Sequence, residues 1–199
     1  MLNKIQNEIE NVIENISAKY SILTNNCKAD FMNSAKIITA EKSTIIVKEG
    51  TNADKLYFII DGSFRVFYFK EEKDVTDWFA FDNDFVCSIN SFFLGIPSPH
   101  YVQTLSTTTY LEISREQTFK LMEKHHCFET LARKAITQIM LQLQSRIVSL
   151  QFETAQQKYD SLLSVRQDIT QRVPLIHIAS YLGITIETLS RIRNPKNRI

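Results

Sequence analysis

The sequence has little of the residues that mark disordered, disulfide-bonded or metal-binding chains. Only 4 Gly and 4 Pro occur among 199 residues, which argues against low complexity. The three cysteines, Cys27, Cys87 and Cys127, are far apart and form no CxxC pair. We therefore expect neither a zinc site nor an iron–sulfur cluster, and we interpret the cysteines as small core or surface residues in a reducing cytosol.

Long apolar runs, a targeting signal and catalytic motifs are also missing. No run approaches the roughly 18 apolar residues that span a membrane. Residues 1–20 are amphipathic and acidic, unlike a signal peptide. We find no Ser/His/Asp or Cys/His arrangement, metal-ligand spacing or Gly-rich phosphate loop. These absences predict a soluble, cytoplasmic protein that has no membrane partner and is not an enzyme.

The first half of the chain is rich in short β-branched and aromatic runs. Runs at 56–60 and 63–69 flank Asp61-Gly62, a two-residue loop of the type that closes a β-hairpin. Further strands are predicted at 44–47, 75–81, 101–105 and 108–113. This spacing predicts a sandwich or barrel. Residues 84–98 interrupt the pattern and are expected to hold a short helix.

A long apolar stripe follows, in which residues advance by alternating threes and fours. Its members are Phe128, Leu131, Ala135, Ile136, Ile139, Met140, Leu143, Ile147 and Leu150. The stripe predicts a helix roughly 35 Å long. Packing on its own domain is one interpretation. We favour pairing with the same helix of a second subunit, because the stripe is long and lies between two distinct regions.

The segment 173–193 has the pattern of a helix-turn-helix. Pro174 suits a first helical turn, Gly183 supplies a left-handed helix end, and Thr185 caps a second helix. The side chains expected to contact DNA are Thr185, Ile186, Glu187, Thr188, Ser190, Arg191 and Arg193. Arg can bind guanine with both ends of its guanidinium, Glu can accept from cytosine, and hydroxyls can bind phosphate. A helical hairpin without a DNA role is the alternative.

Charge is distributed unevenly along the chain. Residues 172–199 carry five Arg and Lys against one carboxylate, Glu187, whereas the remainder carries 18 basic against 21 acidic residues. A basic segment on a slightly acidic body is typical of a protein that meets a polyanion with one end. This asymmetry favours DNA binding over the plain hairpin.

Taken in order, these features resemble the Crp/Fnr family of bacterial transcription regulators over nearly the whole chain. Residues 49–62 are similar to the family's sensor-domain hairpin, and 84–98 lie where the family carries its phosphate-binding cassette. The stripe at 128–150 is similar to the dimer helix, and 173–193 to the helix-turn-helix. Each motif is moderately specific by itself, and their common order makes the resemblance strong.

The resemblance implies an α+β fold with three parts. Residues 1–125 would form a cyclic-nucleotide-binding-like β-roll (jelly-roll) sensor domain, 126–152 a dimerisation helix, and 153–199 a small helix-turn-helix domain. The partners implied are double-stranded DNA and a second copy of the chain, with RNA polymerase and an unidentified small-molecule effector as further partners to consider. The alternative is a small-molecule-binding module whose DNA-binding domain has degenerated.

Within the helix-turn-helix, the resemblance assigns base reading to Glu187 and Arg191. Ile186 departs from the family, whose members often have a second base-contacting side chain at this position. The operator sequence should therefore differ from those of other family members. We expect the family's wing hairpin to be missing or reduced to residues 194–199.

The resemblance also allows the effector to be considered. The family's nucleotide-binding members use a Gly-Glu pair for the ribose and an Arg for the cyclic phosphate. In this chain Cys87-Ser88 stand where the Gly-Glu pair is expected, and Ser98 stands where the Arg is expected. A charge-assisted contact with the phosphate is therefore lost. We expect no ordinary binding of cAMP or cGMP. The pocket candidates Phe85, Cys87, Ser88, Ser98 and Tyr101 suit either an uncharged apolar ligand or a filled core.

Haem and iron–sulfur cofactors are used by other members of the family. Haem needs an axial ligand, for which His100, His125, His126 and Cys87 qualify by residue type only. Adjacent histidines at a helix junction are more often exposed than ligating. The iron–sulfur relatives have an N-terminal cysteine cluster, and here only Cys27 lies near the N-terminus. We therefore expect no cofactor.

Overall fold

The strands of the first half form two antiparallel sheets stacked as a jelly roll. The computed structural model describes residues 2–194, with side chains from residue 6 onward. The strands are β1 (Ala35–Ala40), β2 (Ile45–Val47), β3 (Lys55–Asp61), β4 (Ser63–Lys70), β5 (Lys73–Phe81), β6 (Phe85–Val86), β7 (Tyr101–Thr104) and β8 (Thr108–Ser114). One sheet has the order β1-β8-β3-β6 and the other β2-β7-β4-β5. Aromatic and β-branched residues face each other between the sheets.

The hairpin predicted at Asp61-Gly62 is wrong, because β3 and β4 belong to different sheets. Gly62 is instead a corner with φ +111°, and a Cβ there would lie 2.8 Å from the Thr108 backbone. The hairpin is made one strand later, where β4 pairs with β5 across Glu71 and Glu72. Both turn residues have positive φ, which matches a two-residue hairpin turn although neither is the Gly or Asn that usually signals one.

Helices cover the outer face of the β1-containing sheet. They are α1 (Leu2–Tyr20), α2 (Asn25–Ser34), α4 (Arg115–Lys124) and the first turns of α5 (His126–Phe152), while α3 (Ile89–Leu94) lies between β6 and β7. Ile13, Ile16 and Phe31 are almost completely buried in the shared core. Apolar residues at helical spacing place one face of α1 in that core. The sequence patterns predict neither α2 nor β1, which follow each other without a turn residue between them.

The C-terminal helices pack as a small unit against the other sheet. They are α6 (Ala155–Val165), α7 (Ile169–Arg172), α8 (Leu175–Leu182) and α9 (Ile186–Arg193). Phe79 and Phe81 of β5 share a buried core with Ile178 and Leu182 of α8. The predicted fold class, a jelly-roll domain followed by a long helix and a small helical unit, is therefore confirmed. The division at residues 125 and 152 into separate domains stays a prediction.

Candidate nucleic-acid interface and effector cavity

The corner between α8 and α9 has the geometry that the sequence predicts for a helix-turn-helix. Gly183 ends α8 with φ +65°, and the Ile184 amide donates to the Ala179 carbonyl at 3.0 Å. The Thr185 hydroxyl then accepts from the Thr188 amide at 3.2 Å and caps α9. Leu189 of α9 is fully buried. The angle between the two helices is thus fixed by a left-handed residue, a cap and a small core.

The face of α9 turned away from this core is polar and open. Glu187, Ser190, Arg191 and Arg193 are exposed there. Hydrogen bonds from its own backbone amide and from the Thr185 hydroxyl lower the pKa of Glu187, so this side chain is an anionic acceptor. The two arginines lie in the last turn of the helix. Glu187 and Arg191, one helical turn apart, therefore offer an acceptor and a cationic donor side by side, and Arg193 adds a second exposed cation at the end of the helix.

Three of the predicted DNA contacts are only partly available or lie beside this face. Ile186 is half-buried and packs on the core of the C-terminal helices, because its side chain is apolar. Thr188 is half-buried, and the Thr185 hydroxyl is engaged in the cap. The suggested wing remnant at 194–199, with its two further cations, lies outside the described residues apart from Asn194.

The helix-turn-helix is attached to the jelly roll through a buried arginine. Arg65 of β4 is 3% exposed and donates to Asp74 at 2.7 and 2.8 Å. Its Nη1 also lies 2.6 Å from His177 Nδ1 of α8. Burial and the Arg65 charge lower the pKa of His177, so the ring is neutral and accepts from the guanidinium. The Thr76 amide of β5 also donates to the Ser180 hydroxyl of α8 at 2.8 Å.

Two more arginines complete the attachment. Arg172 donates to Asp82 at 2.6 and 3.1 Å and to the Gly62 carbonyl at 2.6 Å. Arg146 of α5 donates to Asp77 at 3.0 Å and to the Tyr181 carbonyl at 3.3 Å. Charged side chains thus join the two units at the Gly62 corner, at His177 and at the end of α8. No sequence pattern predicts these arginine contacts, because the partners are distant in sequence.

The apolar stripe of α5 divides into a buried and an exposed part. Phe128, Leu131 and Ala135 are at most 7% exposed and lie in the chain's own core, where a partner helix cannot reach them. Ile139 and Leu143 are half-buried. The exposed apolar side chains of α5 are Ile136, Met140, Leu141, Ile147, Val148, Leu150 and Phe152. Leu141, Val148 and Phe152 are exposed apolar residues that do not belong to the stripe predicted from the sequence.

At the position that the sequence resemblance assigns to a cyclic phosphate, two buried serines bond each other. Ser88 and Ser98 are buried, and their hydroxyls bond each other at 2.7 Å. The Ser98 hydroxyl also bonds the His100 backbone, donating to its carbonyl and accepting from its amide. The two hydroxyls therefore satisfy each other, and neither residue carries the positive charge that a phosphate needs. These residues do not fit a cyclic nucleotide.

A cavity of about 480 Å³ lies beside this position, between the jelly roll and α5. Phe85, Cys87, Phe92 and Phe93 line it from the jelly roll. Its α5 wall consists of Leu131, Ala132, Ala135, Ile136, Ile139, Met140, Leu143, Gln144 and Ile147. Of the predicted pocket residues, Phe85 and Cys87 thus reach the cavity. Ser88, Ser98 and Tyr101 are not among its lining residues, and Tyr101 stacks on Phe67 with ring centroids 5.1 Å apart.

The histidines do not gather into a ligand set. His100 lines the cavity, whereas His125 bonds Asp30 at 2.7 Å and His126 is 92% exposed. Among the residues that the structure describes, no three His, Cys, Asp or Glu side chains are grouped as metal ligands. Within 2–194, no helix combines the length and the apolar character needed to cross a membrane.

Comparison with known proteins agrees with this architecture. Residues 37–125 match the family model of the cyclic nucleotide-binding domain. FixK2 from Bradyrhizobium japonicum is 18% identical, with 81% of this chain and 83% of that chain covered at a TM-score of 0.67. The c-di-GMP responsive global regulator CLP from Xanthomonas campestris is 14% identical, with 87% and 91% covered at 0.66.

A protein of the crp/fnr family from Eubacterium rectale is similar as well, at 16% identity, 85% and 82% coverage and a TM-score of 0.67. No curated protein sequence matches the chain. Residues 37–125 are thus similar to a cyclic nucleotide-binding domain, and the fold is that of solved Crp/Fnr-type structures. The resemblance to the Crp/Fnr family noted in the sequence is therefore confirmed for the fold.

Proposed function

We propose that this protein is a sequence-specific DNA-binding transcription regulator that acts as a homodimer. The observation that carries the proposal is the open polar face of α9, presented on a capped and packed helix-turn-helix. Glu187 and Arg191, to which the sequence resemblance assigns base reading, are exposed on that face. The likeness of most of the chain, 81% and 85% of it, to solved Crp/Fnr-type structures supports the same conclusion.

Selection on a random double-stranded DNA pool, at fixed moderate salt, tests this function. We expect an inverted repeat whose half-sites are about one helical turn apart, since a dimer presents one α9 to each. Arg191→Ala should weaken binding to the selected site by about 10-fold or more, the range of one bidentate base contact. Lys36→Ala removes an exposed positive charge on β1 and is the matched control. If Arg191→Ala distinguishes operator from scrambled DNA as well as the parent does, base reading by Arg191 is refuted.

The proposed dimer interface is the exposed part of α5. An uncovered apolar strip on a helix is stabilised when a second copy removes it from water. Met140 is 57% exposed in the single chain. Met140→Glu should therefore shift the protein towards monomer in light scattering, whereas Gln138→Glu, an exposed change on the polar side of the helix, should leave the dimer intact. A dimer unaffected by Met140→Glu would contradict this interface.

The regulator is proposed not to respond to cAMP. The paired hydroxyls of Ser88 and Ser98 leave the phosphate position without a cation, and a buried phosphate without charge-assisted partners binds weakly. Calorimetric titration with cAMP and cGMP should show no binding in the micromolar range. A micromolar dissociation constant for either would overturn this part of the proposal.

A ligand-binding module without DNA specificity is the second candidate, and the cavity is the observation that favours it. Its walls are mostly apolar, so the ligand it fits is an uncharged, apolar molecule rather than a nucleotide. This candidate predicts thermal stabilisation by such a molecule and no enriched DNA sequence in the selection. The first candidate predicts the enriched repeat; if none is enriched, repeating the selection in cell extract separates a regulator that needs an effector from a binding module.

A further inference from the structure

Two cysteines that are a hundred positions apart in the sequence meet where α2 approaches the start of α5. Cys27 is fully buried, and Cys127 packs against the same core while remaining partly exposed. Thr24, the N-cap of α2, contacts both residues. Its hydroxyl is 3.9 Å from Cys127 Sγ and accepts from the Cys27 amide at 3.3 Å. One thiol is thus sheltered, and its neighbour is reachable from solvent.

Cys127 lies in an environment that favours its thiolate. Burial would raise the pKa of Cys127, but hydrogen bonds outweigh it and lower the pKa. The lowering comes from hydrogen bonding with the Thr24 backbone, the Cys27 thiol, the Thr24 hydroxyl and the Phe128 backbone. Cys127 is also the second residue of α5, a 27-residue helix, so its sulfur lies near the positive end of the helix dipole. Donors and dipole together stabilise negative charge on this sulfur.

The other two cysteines are in the opposite situation. Burial, followed by the neighbouring Cys127, raises the pKa of Cys27 to about 12. Burial also raises the pKa of Cys87 to about 12. Cys87 lies at the cavity, away from the Cys27–Cys127 pair. The chain therefore holds one activated thiol, one protonated thiol beside it, and a third that serves as an internal reference.

We propose that Cys127 and Cys27 form an oxidisable dithiol, in which Cys127 reacts with a peroxide and Cys27 completes an intramolecular disulfide. In the first step the Cys127 thiolate attacks a peroxide oxygen. A sulfur–oxygen bond forms, the oxygen–oxygen bond breaks, and hydroxide leaves to become water. In the second step Cys27 loses its proton and attacks the Cys127 sulfur, which expels the sulfenic oxygen as a second water. The two thiols lose two electrons, and the peroxide gains them.

The disulfide would join α2 to the first turn of α5. That helix carries the exposed apolar strip and, through Arg146, contacts α8. The bond would therefore connect the N-terminal helices to the element that links the jelly roll with the helix-turn-helix. This inference goes beyond DNA binding and does not depend on it, because the dithiol is defined by its own contacts.

Peptide mapping after oxidation tests the proposal on the full-length protein. The reduced protein is treated with hydrogen peroxide, the remaining thiols are alkylated, and the digest is analysed by mass spectrometry without reduction. We expect one cross-link between the Cys27 and Cys127 peptides, with Cys87 alkylated. In Cys27→Ala, the Cys127 sulfenic acid should accumulate and be trapped by dimedone. Cys87→Ser should behave as the parent does.

Reaction rates give an independent readout. The rise of the Cys87 pKa to about 12 lowers the fraction of this residue present as thiolate roughly 1000-fold. A thiolate of higher pKa is more nucleophilic, which offsets roughly 20- to 30-fold of that loss. Cys127 should therefore react at least about 30-fold faster than Cys87. Equal rates, a cross-link to Cys87, or full alkylation of both Cys27 and Cys127 after peroxide treatment would each overturn the proposal. The parent protein alone decides the pairing if Cys27→Ala does not fold.

Discussion

Arg172→Met should loosen the helix-turn-helix from the jelly roll and destabilise the protein by about 2–3 kcal/mol. The guanidinium makes three hydrogen bonds, two to Asp82 and one to the Gly62 carbonyl. A hydrogen bond that involves a charged group contributes about 1.5–3 kcal/mol, and its removal leaves the partners unpaired. Because the two side chains are 23% and 32% exposed, solvent screens part of the ion pair, and we expect the total to stay near one such bond. Met keeps the apolar contact of the arginine stem.

Urea unfolding followed by the fluorescence of Trp78 measures this loss, since the only tryptophan lies in β5, the strand that the helices cover. Asp82→Asn and the double variant complete a mutant cycle, whose coupling should be about 1–2 kcal/mol. Arg191→Met is the matched control, because it removes an exposed arginine and should leave stability within about 0.5 kcal/mol. If Arg172→Met unfolds at the parent's urea concentration, or the cycle shows no coupling, the reasoning fails.

Two further predictions use the same titration. Gly62→Ala should destabilise the protein by about 3 kcal/mol or more, because φ is +111° and the new Cβ would lie 2.5 Å from the Thr108 hydroxyl. Gly50→Ala is the control: φ is +79° but no atom lies within 4 Å, so the protein should lose only about 1 kcal/mol of stability. Equal losses for the two variants would contradict the corner geometry. Because the pKa of His177 is lowered by folding, the unfolded chain binds more protons than the folded chain below about pH 6.5. The contribution of His177 to the free energy of unfolding is therefore complete above that pH and falls as the solution is acidified. His177→Gln should flatten this dependence, and an unchanged slope would argue against it.

The parts of the fold that the sequence predicts well are those decided by neighbouring residues. Gly183 ends α8 because only glycine adopts the left-handed region freely, and Thr185 caps α9 because its hydroxyl reaches an amide three residues away. Both effects act within one turn of helix. The helix-turn-helix therefore follows from about twenty residues of sequence, and the outward face of α9 follows from its periodicity.

The parts that the sequence does not predict depend on distant partners. Asp61-Gly62 has the local chemistry of a hairpin turn, yet β3 pairs with β8 and β4 with β5, so tertiary packing makes it a corner. Arg65 meets His177 across 112 positions. No local pattern shows that a strand arginine will lie beneath a helix of another unit. The meeting of Cys27 and Cys127 depends in the same way on where α2 is placed.

The cavity and the junction are physically connected through one carboxylate. Asp77 lines the cavity and also accepts from Arg146, which donates in turn to the last turn of α8. His100, on the cavity wall, lies 3.8 Å from the same carboxylate. A molecule that fills the cavity and displaces Asp77 would therefore weaken the hold of Arg146 on α8, because a guanidinium without its carboxylate loses its strongest partner. We expect Asp77→Asn to lower the stability of the junction in urea without any ligand; an unchanged midpoint would show that the cavity wall and α8 are independent.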